Sequence, residues 1–320
     1  MTITTLSLSV RPHAGESLSS LLFRIANQNG VEGIQPILRA AGITRGYRPR
    51  GPKQEMALSL VCRMPPKLIT AISPVECATP DKFGKKQLSF FGHRVQADHL
   101  LIGDRDRVCP TCLAASRYRN GLHNFNFVTC CAWDGSHLLD ICPSCGSDID
   151  AHRANIDHCK CGLDFRTVRP TQAAVEEKLI AQLICRRWLF TFYRGTIPDV
   201  PNAIDALKAM DLGEALRAIH FFYRFGRQDF SAGDPGVRSK SLVDVRPHII
   251  RVGKLLLDWP EPFRDWITTS RGFVPRHSTA LREAQSIERI SFRMYTELPE
   301  PVFAFIHEEL MVYLRSRIEK

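Results

Sequence analysis

Apolar residues recur at helical spacing over most of this 320-residue chain, which predicts a mainly α protein. Leu18, Leu21, Leu22, Ile25 and Ala26 share one helical face. Ser17 stands as the N-cap and Asn29-Gly30 as the stop. A second helix carries Ile34, Ile37, Leu38 and Ala41 and ends at Gly42. Glu55 to Arg63 and Lys67 to Ile72 form two short helices around Pro65-Pro66, a helix-turn-helix arrangement. Residues 83–108 change character. Leu88 to Phe91 and Leu100 to Ile102 are short apolar runs between polar and glycine breaks, and read as strands or extended segments. After Pro170 the helical period returns. Val175, Leu179, Leu183, Ile184 and Trp188 form one amphipathic helix, and a further stretch ends at Phe221 to Phe225. Later helices are expected around 245–258, 279–296 and 302–318, with Pro299 and Pro301 separating the last two. Gly226, Gly233, Pro235 and Gly236 mark residues 226–240 as a mobile loop. Trp259, Phe263 and Trp266 sit near a turn and read as core.

This pattern divides the chain into an N-terminal helical domain with helix-turn-helix character (1–82), a central module (83–169) and a C-terminal helical domain (170–320). The formal net charge of +10 points to an acidic partner, with nucleic acid or a ribonucleoprotein as the natural class. Arg45, Arg48, Arg50 and Lys53 crowd a segment with Gly46, Pro49, Gly51 and Pro52. That density of glycine and proline predicts a flexible, cationic loop suited to phosphate contact, or else a plain solvated loop.

The candidate chemistry lies in the central module. Eight of the eleven cysteines fall between Cys109 and Cys161. They run Cys109-Pro-Thr-Cys112, Cys130-Cys131, Cys142-Pro-Ser-Cys145-Gly and Cys159-Lys-Cys161-Gly. Pairs one or two residues apart, set in tight turns, aim two sulfurs at one metal, which is zinc-ligand spacing. A disulfide framework fits poorly. No N-terminal apolar run is long enough for a signal peptide, and a chain of this length buries a core without staples. No run of about 18 apolar residues predicts a membrane span. These features together predict a cytoplasmic, nucleoid-associated protein.

Zinc in a structural site takes four ligands, so the cluster predicts two ions per chain. Cys142, Cys145, Cys159 and Cys161 make one complete set. Cys109 and Cys112 need two more ligands. Cys131 and Asp134 repeat the two-residue gap, with Gly135 following, and are favoured; Cys130 with His137 is the rival pair. A closed site has no open position for water, so both read as structural. His93, His99, His123, His137, His152 and His158 surround the segment, as one further metal candidate and otherwise surface residues or supports of the ligands. Asp104 and Asp106 flank Arg105 and read as a charged surface turn. Cys62 and Cys185 read as small core residues. Phosphate-binding glycine loops, nucleophile elbows and H-E-x-x-H helices are absent from the sequence, which argues against an enzyme.

Two stretches resemble the TniQ family of transposon targeting proteins. One is Gly15 to Gly30, most similar to members tied to CRISPR-associated transposons. The other is Cys109-Pro-Thr-Cys112-Leu with Tyr118, Phe125, Cys131 and the block from Cys142 to Gly162. The resemblance covers the first half of the chain. It implies an adaptor that docks as a homodimer on an RNA-guided Cascade complex with its guide RNA, close to target DNA, and recruits the AAA+ ATPase TnsC. Base pairing then reads the target. Other members read an attachment site directly, so a sequence-specific DNA-binding protein is the alternative. The family usually carries His where Asp134 stands, and often Trp where His123 stands.

Overall fold

The computed structural model describes residues 5–81, 84–101, 103–189, 205–225, 241–269, 288 and 290–318. Its architecture is mainly α with one small sheet. Helix α1 (Leu18–Gln28) starts where Ser17 Oγ accepts from the Ser20 N–H at 3.2 Å. Its predicted apolar face is fully buried, Ile25 and each of the three leucines contributing about 1.5–3 kcal/mol on burial. Helix α2 (Gln35–Ala40) and helix α4 (Pro66–Ile72) each pack against α3 (Pro52–Cys62). The turn between α3 and α4 passes through left-handed Arg63.

Three short antiparallel strands follow, β1 (Val75–Glu76), β2 (Gln87–Phe90) and β3 (His93–Gln96), in that order across the sheet. Leu88 lies opposite Val95, and Val75 opposite Ser89. The sequence points to β2 but not to β3, which has one buried apolar residue, Val95. Of Leu100 to Ile102, expected as a strand or extended segment, Leu100 forms a bridge to Phe125, while Ile102 lies outside the described residues.

The polar central segment holds one regular α-helix, α5 (Pro110–Ser116), among turns and isolated bridges. Beyond it, α6 (Val175–Leu189), α7 (Asp205–Ala209), α8 (Leu212–Phe225), α9 (Leu242–Leu257), α10 (Glu261–Thr269), α11 (290–297) and α12 (Ala304–Ile318) complete the chain. The predicted loop at 226–240 and the first part of the predicted helix at 279–296 lie outside the described residues. Trp259 lies in the turn before α10, near which it was expected together with Phe263 and Trp266 of that helix, and Trp259 and Trp266 stack on the Phe263 ring.

Helices α6 and α9 lie in close contact at Gly253, where a Cβ would meet Glu176 Cβ at 2.4 Å. At the far end of α6, Trp188 enters the N-terminal half. Its ring lies edge-on to Phe91 at 5.0 Å, and His93 Nε2 lies 3.2 Å from its carbonyl oxygen. One hydrophobic cluster therefore runs from Leu6 through α1 and the sheet to Tyr313. Among the described residues, no helix is long and apolar enough to cross a membrane.

Candidate metal centres

Two groups of ligating side chains converge in the central segment. Within each group all candidate ligand atoms lie within 4.8 Å of one another. The first group is Cys109, Cys112, Cys131 and Asp134; the second is Cys142, Cys145, Cys159 and Cys161.

The second group comes from two facing turns. Gly146 N–H bonds Cys142 O at 2.9 Å, and Gly162 N–H bonds Cys159 O at 3.0 Å. Both glycines hold φ near +71° and +92°, a conformation that side chains resist. Cys142 and Cys161 sulfurs lie 3.7 Å apart, and those of Cys145 and Cys159 lie 3.8 Å apart. Four thiolates bound tetrahedrally at about 2.3 Å from zinc have sulfur–sulfur edges of about 3.8 Å. A disulfide would need about 2.05 Å. The geometry thus fits an ion and not a bridge.

In the first group, Cys109 caps α5, its sulfur accepting from the Cys112 N–H at 3.4 Å. The opposing turn closes through Gly135 N–H to Cys131 O at 3.0 Å. Cys112 and Cys131 sulfurs lie 3.6 Å apart. Asp134 Oδ1 accepts from the Ser136 N–H at 2.8 Å and from its hydroxyl at 2.6 Å. This leaves Oδ2 turned to the cluster, 3.6 Å from Cys109 Sγ. Hydrogen bonding to Cys109, with burial adding to it, raises the Cys112 and Cys131 thiols. A bound cation reverses that penalty, since a coordinating thiol is deprotonated outright.

The rival pair faces elsewhere. Cys130 and His137 are bridge partners, but His137 Nε2 meets Glu177 of α6 at 3.0 Å and its Nδ1 meets Thr171 Oγ1 at 3.2 Å. Thr129 Oγ1 donates to the other Glu177 oxygen at 2.8 Å. His137 is therefore part of a clasp onto α6. Burial pushes the Cys130 thiol up to about 12.

Several charged side chains near the ligand groups in sequence are buried. Asp106, expected on a surface turn, is 1% exposed. Its Oδ1 lies 2.7 Å from Arg119 Nε and its Oδ2 2.8 Å from Arg153 Nη2. Burial alone would raise the Asp106 carboxyl, but Arg119 and Arg153 outweigh it and hold it below the ordinary range. Arg107 is buried too and donates from Nη1 to the carbonyl oxygens of Phe125, Asn126 and Val128. His123 is wholly buried with neither ring nitrogen hydrogen-bonded. Burial lowers its pKa to about 4, so it stays neutral beside the cluster. Asp104 is the one that sits outside, 3.4 Å from His152.

The four basic residues named from the sequence do not form one loop. Helix α3 begins at Pro52, so Lys53 lies in its first turn. Arg45, Arg48 and Arg50 share a cavity with Lys86, which the sequence reading passed over. The Lys85-Lys86 pair was its only signal.

Residues 7–138 match the model of the TniQ family. The matched segment includes α1 to α5 and the whole first metal group, and it ends before the second. The match marks the chain as a transposition-associated protein. No curated protein matches the chain.

Proposed function

We propose that this protein is a targeting adaptor of a transposition system. It docks on an RNA-guided Cascade complex at the target DNA and recruits the AAA+ regulator TnsC, acting as a homodimer and performing no chemistry itself. The observation that carries this reading is the TniQ match over residues 7–138. Two features support it: the ligand sets are complete, with four donors each, and the chain is strongly basic.

Zinc suits both groups. Four sulfurs, or three with one carboxylate, form the donor sets of closed tetrahedral sites, and the sulfur spacing matches. Bound there, the ions supply folding energy and hold the turns together. Cys109 to Asp134 tie α5 to the turn that clasps α6, while Cys142 to Cys161 close a turn pair beside it.

The test is co-purification of the tagged protein with a Cascade complex and its guide RNA, followed by addition of TnsC. Co-elution of both partners is expected; failure of Cascade to co-elute removes the reading. A second reading, direct recognition of an attachment site in DNA, has the packed pair α3–α4 in its favour. Helix α4 has only seven residues, however, with Lys67 as its one basic side chain, and the Thr70 hydroxyl donates to Glu55 at 2.8 Å. That is little material for reading base edges. Sequence-selective binding of naked duplex at physiological salt would restore this second reading.

A further inference from the structure

The segment after α2 is pinned. The Tyr47 ring is 2% exposed, the Arg48 guanidinium donates to Pro74 O at 2.6 Å, and the Arg50 N–H donates to Gln54 Oε1 at 2.9 Å. Gln54 in turn donates to Gly42 O at 2.8 Å. These bonds tie the segment to α3 and to Pro74, and Arg45, Arg48 and Arg50 line one cavity with Lys86, Leu88 and Ala97. Lys86 precedes β2 and is fixed there by the Ala97 N–H to its carbonyl at 2.9 Å.

The result is a cavity of about 240 Å³ whose walls carry four cationic side chains over a floor of Leu88 and Ala97. Among the described residues lining it, none is acidic; Glu76, 2.6 Å from Lys86 Nζ, stands outside. Clefts that bury a whole drug-sized ligand run to about 300–1,000 Å³. This one is smaller, so it suits one group of a longer chain. Guanidinium forks match phosphate oxygens in pairs.

We infer that Arg45, Arg48, Arg50 and Lys86 form a pocket that takes a backbone phosphodiester of a nucleic acid. The inference shares with the proposed function only a polyanionic partner. It assigns the contact to a pocket shared by two elements, in which Lys86 stands where Lys53 is expected from the spacing of basic residues.

The test is fluorescence anisotropy with the full chain across a salt series, using duplex DNA, single-stranded RNA and an RNA–DNA hybrid of equal length. Comparing the three identifies the source of the phosphate. Arg45→Ala/Arg50→Ala is expected to weaken binding about tenfold and to lower the log–log salt slope by about two, and Lys86→Ala to lower it by about one. Arg48 is left intact because it anchors Pro74. Lys53→Ala should leave the slope in place. Arg45→Lys/Arg50→Lys should keep the slope while weakening affinity, and it stands in if the alanine variant fails to fold by thermal melting. A slope unchanged in the alanine and Lys86 variants, an equal loss in Lys53→Ala, or no binding of any of the three by the wild type overturns the pocket. Wild type that binds nucleic acid through these residues but never co-elutes with Cascade overturns the adaptor reading alone.

Discussion

The two ligand groups are built alike and embedded differently. Cys109 and Cys131 are buried, Cys112 and Asp134 half-buried, and the wholly buried His123 lies within electrostatic reach of Cys109, Asp134, Asp106 and Arg119. Cys145 and Cys161 of the other group are exposed, and most of its hydrogen bonds are local. The all-sulfur set, with the stronger donors, stands where little else holds the chain. The mixed set stands where surrounding packing already orients its ligands. Ligand chemistry and structural support thus trade against each other, which sets how far the loss of each site should spread.

The largest effect is expected at the embedded site. Structural zinc contributes about 10–16 kcal/mol of apparent binding energy in small metal-folded peptides. A domain's whole stability is about 5–15 kcal/mol. Cys109→Ala removes a ligand and the cap of α5 together. The cooperative melting transition seen by far-UV circular dichroism should be lost, and less than one equivalent of tightly held metal should remain. A cooperative, near-wild-type melt would show that the core around the first group stands without its ion.

Asp106 comes next. Asp106→Asn leaves Arg119 and Arg153 facing each other without their shared carboxylate, and breaking a buried pair costs about 3–5 kcal/mol. The pH dependence has a definite sign. The folded pKa is depressed, so the advantage of Asp106 over Asn is complete above the unfolded value of about 3.9. It fades as pH falls through the lowered folded value. Melting temperatures of the two proteins from pH 7 to pH 2 should therefore converge at the acid end; a constant gap would mean that Asp106 acts through packing and not charge.

Cys145→Ser should do less. One metal equivalent should go and one remain. Hydrogen exchange should quicken between residues 141 and 164 while α6 and α9 keep their protection. Exchange spreading into α1 would erase the contrast between the two sites.

The sequence made some of this legible because the causes are local. Ser17 caps α1 by reaching three residues ahead, and the cysteine turns are closed by hydrogen bonds within five residues. Both show as spacing. What stayed hidden depends on distant partners. Asp106 reads as a surface residue until Arg119 and Arg153 meet it from positions well along the chain. Strand β3 has little pattern of its own and is defined by pairing with β2 and by α8 packing on it. Helix α3 starts earlier than its apolar pattern predicts for another reason: proline breaks a helix interior, yet Pro52 is favoured in a first helical turn. Lys86 joined the arginines only through the hairpin that carries it.

The smallest expected effect falls on Asp134, the residue that distinguishes the two donor sets. Its Oδ1 is held by Ser136, so only Oδ2 is presented to the cluster. A single carboxylate oxygen among thiolates is the weakest of the eight donors, and the first ion should leave by that route. Under a chelator chase, metal release from wild type should be biphasic, with the fast phase from the first group. Asp134→His should slow that phase on the order of tenfold, the scale on which changes around a ligand act, with little change in melting temperature. Asp134→Ala should speed it and leave the slow phase untouched. A fast phase indifferent to both substitutions would remove Asp134 from the ligand set. It would direct attention to His123, whose ring nitrogens are buried without a hydrogen-bond partner and feel the charge of Cys109.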